Sequence, residues 1–227
     1  MGRHEPFVAE DDAMKSQPDD VVWISRIQQS ATEIYGFTCA LGEKDKDAFV
    51  DQIRQFKRGE KFRSGALPEV MWSSDPKDSR KKTLLHMFKA NGFLTVSDRM
   101  ADVLRRFDLG PSELHPVRLL RMDRETPYSG EHFLFQIRAR KEGFEPDYSR
   151  RFKPKRYEDQ THWASLHVDA KDDDVSMNGT VLQGPDVWQD PRLLKMVFFS
   201  NRLMAAMREA KVLGRMEIVR APVIRPN

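Results

Sequence analysis

The sequence predicts an α+β fold, with a mixed or antiparallel sheet and Ser-capped helices arranged as a degenerate internal duplication. Short β-favouring runs alternate with stretches of helical period, a serine stands directly before two of those stretches, and the same order of features occurs twice. With 227 residues, 39% hydrophobic and 32% charged, the chain can bury a core without disulfides or metals. Residues 1–20 read as a mobile lead-in. Residues 21–227 read as one domain holding two related units, at about 65–121 and 182–225.

The lead-in is polar and carries Glu10-Asp11-Asp12 where a signal peptide would be apolar. Val21 to Ile24 and Tyr35 to Cys39 are β-favouring runs. From Asp45 the period becomes helical, with Phe49, Val50, Ile53 and Phe56 on one face and Gly59 as the stop. A second helix is predicted over Ser79 to Ala90, with Leu84, Leu85 and Phe88 inward and Asn91-Gly92 ending it. Phe93 to Val96 reads as a buried strand, and Ser97 caps a third helix running to about Phe107.

Strands follow at Leu114 to Arg121 and His132 to Arg140, then a long surface connection from Gly143 to Gln160. Trp163 to Asp169 resumes a strand, Asp172-Asp173-Asp174 is a turn, and Asn178-Gly179 is a hairpin dipeptide. The last unit is a strand (Met196 to Phe199), a helix capped by Ser200, a stop at Gly214 and a strand from Met216 to about Val219.

The duplication rests on residue order. Val96-Ser97-Asp98-Arg99-Met100 recurs as Phe199-Ser200-Asn201-Arg202-Leu203, and Pro68-Glu69-Val70-Met71-Trp72 with Asp75-Pro76 recurs as Pro185-Asp186-Val187-Trp188 with Asp190-Pro191. Arg99 and Arg202 place a cation in the first helical turn, against the positive end of the dipole. The expectation is a carboxylate clasp, from Asp75 or Glu69 to Arg99 and from Asp190 or Asp186 to Arg202; two exposed arginines are the alternative. Trp72 and Trp188 read either as core residues or as exposed binding anchors.

Charge and motifs exclude more than they assign. The balance of 38 basic and 35 acidic residues, +3 net, lacks the excess of a nucleic-acid or membrane-surface binder. The single Cys39 cannot close an internal disulfide, and no apolar run approaches the ~18 residues of a membrane span, so the expected location is the cytoplasm. Ser165, His167 and Asp169 would share a strand face, but same-face neighbours on one strand are too far apart for a nucleophilic triad. No metal, nucleotide or other cofactor motif is present. Two surface features remain as partner contacts: the basic stretch Arg150 to Arg156, represented by Arg151 and Arg156, and the acidic turn Asp172, Asp173 and Asp174.

The run Gly184-Pro185-Asp186-Val187-Trp188-Gln189-Asp190-Pro191, followed by Val197-Phe198-Phe199-Ser200-Asn201-Arg202-Leu203 and a Gly-terminated helix, resembles the eleventh class of polymorphic-toxin immunity proteins. Phe93 to Arg99 and Leu114-His115-Pro116-Val117 are similar to that family's middle region, so the likeness covers residues 65–225. The resemblance implies a bacterial cytoplasmic protein that blocks a cognate protein toxin, encoded by a neighbouring gene, without chemistry or cofactor. The basic 150–156 loop departs from that pattern. It supports the alternative expectation, a nucleic-acid or regulatory binding module.

Overall fold

The computed structural model describes residues 20–30, 33–157, 160–193 and 195–224, and of residues 154–157 and 160–165 the backbone. The expected lead-in, apart from Asp20, lies outside the described residues.

β1 (Val21–Ser25) is followed by β2 (Ile34–Tyr35) and β3 (Phe37–Thr38), one extended run broken at Gly36. After the short α1 (Ala40–Lys44), α2 (Lys46–Arg58) starts where the Asp45 side chain accepts from Ala48 N–H and ends at Gly59, whose φ of 76° is left-handed. Its apolar face buries Phe49, Ile53 and Phe56, but Val50, expected inward, is exposed. β4 (Val70–Ser73) leads into α3 (Pro76–Ser79), a single turn capped by Asp75.

The helix expected over 79–90 does not form. Met87–Ala90 is β5, and Asn91-Gly92, with φ of 47° and 106°, turns it into β6 (Phe93–Ser97) as a two-residue hairpin. All four residues of β5 are buried, so the strand lacks the alternation that would have revealed it. Ser97 then caps α4 (Asp98–Leu104), which ends before Phe107.

β7 (Glu113–Leu120) and β8 (His132–Gln136) follow. The expected surface connection contains β9 (Phe152–Tyr157), which pairs with β10 (Gln160–Leu166), and Phe144 within it is fully buried. β11 (Met177–Asn178) ends where Asn178 caps a 3₁₀ turn (Gly179–Leu182), so Asn178-Gly179 is not a hairpin. β12 (Val187–Trp188), β13 (Val197–Ser200), α5 (Asn201–Glu209) and β14 (Ile218–Ile224) complete the order.

The larger sheet runs β2-β5-β6-β8-β7-β4-β3, mixed because β2–β5 and β4–β7 are parallel. Its two end strands are joined by Gly36 alone, so the ladder must curl round and close on itself. Gly36 suits that corner: its N–H donates to Asp78 Oδ2 at 2.8 Å, and a Cβ there would come within 3.1 Å of the Asp75 Cβ. Phe37, Met71, Phe88, Phe93, Val117 and Leu134 pack together with the α2 face in one core.

The opposite faces of β5, β6 and β8 pack through Met87, Val96 and Phe135 against α4 and α5, together with Val197 and Phe199 of the second sheet. That sheet runs β11-β14-β1-β13-β12 and packs around Ile24, Trp188 and Phe198. The two units proposed from sequence therefore lie in different sheets. They correspond best across strand, serine cap and helix. At the tryptophans they diverge, since Trp188 pairs directly with β13 whereas the Trp72 strand pairs with β3 and β7 rather than β6.

Candidate partner-binding cleft

The two surface stretches expected to meet partners meet each other. Arg150 Nε donates to Asp174 Oδ1 at 2.5 Å, Arg151 Nη1 to Asp169 Oδ2 at 2.9 Å, and Arg220 holds both carboxylate oxygens of Asp173 at 3.0 and 2.5 Å. Asp172 accepts the Arg220 backbone N–H at 2.7 Å. Asp174 is buried, which alone would raise its carboxyl. Bonds from the Lys171 N–H and Arg150 outweigh burial and hold it below the usual range. Two carboxylates of the acidic turn thus have internal ionic partners, Asp174 in Arg150 and Asp173 in Arg220, while Arg151 pairs with Asp169 outside the turn. The Arg156 side chain lies outside the described residues.

His167 Nδ1 bonds to Asp169 in an exposed turn, with Arg151 on the same carboxylate, and the Ser165 side chain is outside the described residues. Trp188, expected among the partner contacts, is fully buried. It stacks on Phe198 with ring centroids 5.6 Å apart and carries the Lys141 Nζ 3.9 Å above its other face. Trp72 is half-buried beneath Arg124, whose guanidinium sits 4.6 Å from the ring.

The two serine caps form as read, Ser97 Oγ accepting from Met100 N–H and Ser200 Oγ from Leu203 N–H. The clasp forms once. Arg202 grips Asp186, while Arg99 donates to the Ala210 carbonyl at 2.9 Å and touches neither Asp75 nor Glu69. Asp190 is buried and accepts the N–H groups of Gly143 and Phe144, each at 2.8 Å, fastening the chain after β8 rather than Arg202. Asp75 is the α3 cap and accepts from Lys77 N–H at 2.7 Å.

What the sequence did not reveal is a cleft of about 730 Å³ between the loop Phe62–Glu69 and β7. Phe62, Leu67, Val117 and Tyr128 line it, with His115 and His132 among them. Its outer wall is pinned. Gln136 Nε2 donates to Glu60 O at 2.9 Å, Gln52 Nε2 to Ala66 O at 2.7 Å, the Phe62 ring lies 6.5 Å from Phe56, and Leu67 is buried. The tip turns at Gly65, φ 74°, where a Cβ would meet open space.

Burial holds the His132 imidazole below its usual value, and His115 Nε2 lies 3.3 Å from the Glu113 carboxylate without hydrogen-bond geometry. Around the rim, the exposed side chains of Arg63, Arg118, Glu69 and Glu131 have no ionic partner among the described residues. Apolar walls and unmatched charges suit the cleft to receive another molecule.

Among the described residues no cluster of His, Cys, Asp and Glu is placed to hold a metal, and no helix is long and apolar enough to cross a membrane. The sequence model of the immunity protein family (Imm11) matches residues 21–216, from β1 through α5 to the approach to β14. No curated protein matches the chain.

Proposed function

Because the chain belongs to the immunity protein family Imm11, we propose that it binds a cognate bacterial toxin and neutralises it by stoichiometric occlusion, in the cytoplasm of the producing cell and without catalysis. The observation that carries this reading is the extent of the family match, which takes in the larger sheet, the second sheet apart from β14, and the walls of the cleft. A pinned loop facing a fixed strand limits the ordering entropy lost when a partner docks. The alternative, a nucleic-acid or regulatory module using residues 150–156, is weakened because Arg150 and Arg151 already pair with Asp174 and Asp169.

Co-expression is the direct test. The product of the adjacent gene should arrest growth when expressed alone, and this chain should restore growth and elute with that product as a one-to-one complex. A harmless neighbour, or a toxic one that this chain neither binds nor relieves, would overturn the reading.

A further inference from the structure

β7 is paired on both sides only at its C-terminal end. Among the described residues, β4 pairs with it from Val70↔Arg118 onward, whereas Glu113 to Val117 have β8 alone. Backbone parity fixes which groups this leaves open. Asp98 N–H donates to Glu131 O at 2.9 Å, so residues 131, 133 and 135 address β6, and 132, 134 and 136 address β7. Their ladder partners Val117, His115 and Glu113 therefore bond towards β8. Arg118 N–H points the other way, to Glu69 O at 2.8 Å, and Leu114 and Pro116 share its direction.

The Pro116 C=O thus faces the cleft, and the Leu114 N–H and C=O point to the same side of the strand, away from β8, with no backbone partner among the described residues. Pro116 has no N–H to leave unpaired, which is why a proline is tolerated at this point of the strand. The loop from Glu60 to Glu69 spans this edge from Gln136 to Arg118 yet stands off it by the width of the cleft. An open strand edge beside a preformed slot is the geometry of strand addition.

We propose that the cleft is a strand-acceptor slot, in which an extended segment of the toxin lies between Phe62–Glu69 and β7 and pairs with Leu114 and Pro116. This rests on the immunity reading above. The segment carries an apolar side chain towards Phe62, Leu67 and Val117, a carboxylate for Arg63 and Arg118, and a cation for Glu69 and Glu131. Charge complementarity supports that occupant. At the Asp169–Asp174 corner three carboxylates, Asp169, Asp173 and Asp174, are ion-paired internally, whereas here four charges stay unmatched round one opening. A second copy is a poorer fit, because it would offer the same proline-blunted edge.

Hydrogen exchange of the chain, alone and with the toxin polypeptide whose toxicity it relieves, tests the slot. Exchange of segment 113–118 should slow by about tenfold or more in the complex. Unchanged exchange there in a formed complex would overturn the proposal while leaving the immunity reading intact. The double variant Arg118→Glu with Glu131→Lys alters only exposed rim charges, and its fold is checked by circular dichroism. It should bind the toxin about tenfold or more weakly; wild-type affinity would also overturn the slot. If the wild-type chain neither binds nor relieves the toxin, both readings fall together. Protection of 113–118 that rises with concentration in the chain alone would assign the edge to a second copy instead.

Discussion

Arg202 holds Asp186 with two arms of its guanidinium, Nε 2.6 Å from one carboxylate oxygen and Nη2 2.7 Å from the other. The carboxylate is almost completely buried, and it also accepts from Ser200 Oγ at 2.6 Å and from the Asp108 N–H at 3.0 Å. Four donors on two oxygens explain why a cation is tolerated in the first turn of α5, against the helix dipole. They also tie the end of the α4 segment to the start of α5, because Asp186 N–H donates back to Asp108 O at 2.7 Å.

Removing the buried partner should cost more than removing the exposed one. Asp186→Ala leaves the Ser200 hydroxyl and the Asp108 N–H without their acceptor and should cost about 2–3 kcal/mol. Arg202→Ala removes a largely exposed side chain from a carboxylate that keeps two donors and should cost about 1 kcal/mol or less. Burial would raise the Asp186 carboxyl, but the bonds from Arg202, Ser200 and Asp108 hold it below the ordinary range. Its contribution is therefore fully present above the unfolded value and is lost as pH falls through the lower folded one. Urea denaturation between pH 7 and pH 3 should show wild type converging on Asp186→Ala at the acid end.

Arg99 resolves the same dipole conflict differently. Its guanidinium reaches the carbonyl of Ala210, the C-cap of α5, so the cation sits at the negative end of the neighbouring helix. The contact is exposed, and Arg99→Ala should cost about 0.5–1 kcal/mol in urea denaturation. A loss as large as that from Asp186→Ala would mean that Arg99 has a buried partner after all.

The local signals that could be read were those whose cause is local. Phe49, Ile53 and Phe56 with Gly59 fixed α2, and Ser97 and Ser200 fixed two helix starts, because each is decided within a few residues. Phe88 imitated a helical face together with Leu84 and Leu85, which precede the strand, because β5 is covered on both sides and shows no alternation. Asn91-Gly92 was read as a helix stop for the same positive φ that makes it a hairpin. The cleft was not legible, because it depends on where β4 starts along β7, a parallel register set by residues nearly fifty positions apart. Nor was the Arg150–Asp174 pairing, which joins two features that looked independent.

Lys89 carries a pH-dependent penalty. Its chain is buried in β5, and Nζ donates to Gln28 O at 3.3 Å and to Ser30 O. Burial first, then the nearby Lys57, lower its pKa to about 8. Below pH 8 the ammonium is charged in both states and the cost of burying it is fully present. As pH rises from 8 towards the unfolded value near 10.4, the folded state sheds its proton first and stability increases. Against Lys89→Met, which cannot titrate, wild type should gain about 2 kcal/mol between pH 7 and pH 10. A constant difference across that range would show that Lys89 pays no burial cost.

Trp188 belongs to the core of the second sheet. Trp188→Ala should cost about 3–5 kcal/mol, whereas Trp188→Phe keeps the stacking on Phe198 and should cost much less. Toxin binding by Trp188→Phe should match wild type in a co-purification assay, since no part of the indole reaches the surface. Lost binding with intact thermal stability would return Trp188 to the interface.

Pro116→Val tests whether the β7 edge is open. The substitution supplies an N–H beside the existing C=O and a side chain that favours strands, and the residue is exposed, so the fold should tolerate it within about 1 kcal/mol. The edge from Leu114 to Pro116 would then present a full alternation of donors and acceptors to any matching strand, and a second copy of the variant offers one. Sedimentation velocity should show the variant forming larger species with rising concentration under conditions where wild type does not. A variant that sediments like wild type at every concentration would mean that the loop from Phe62 to Glu69 shields the edge, and that Pro116 is not what guards it.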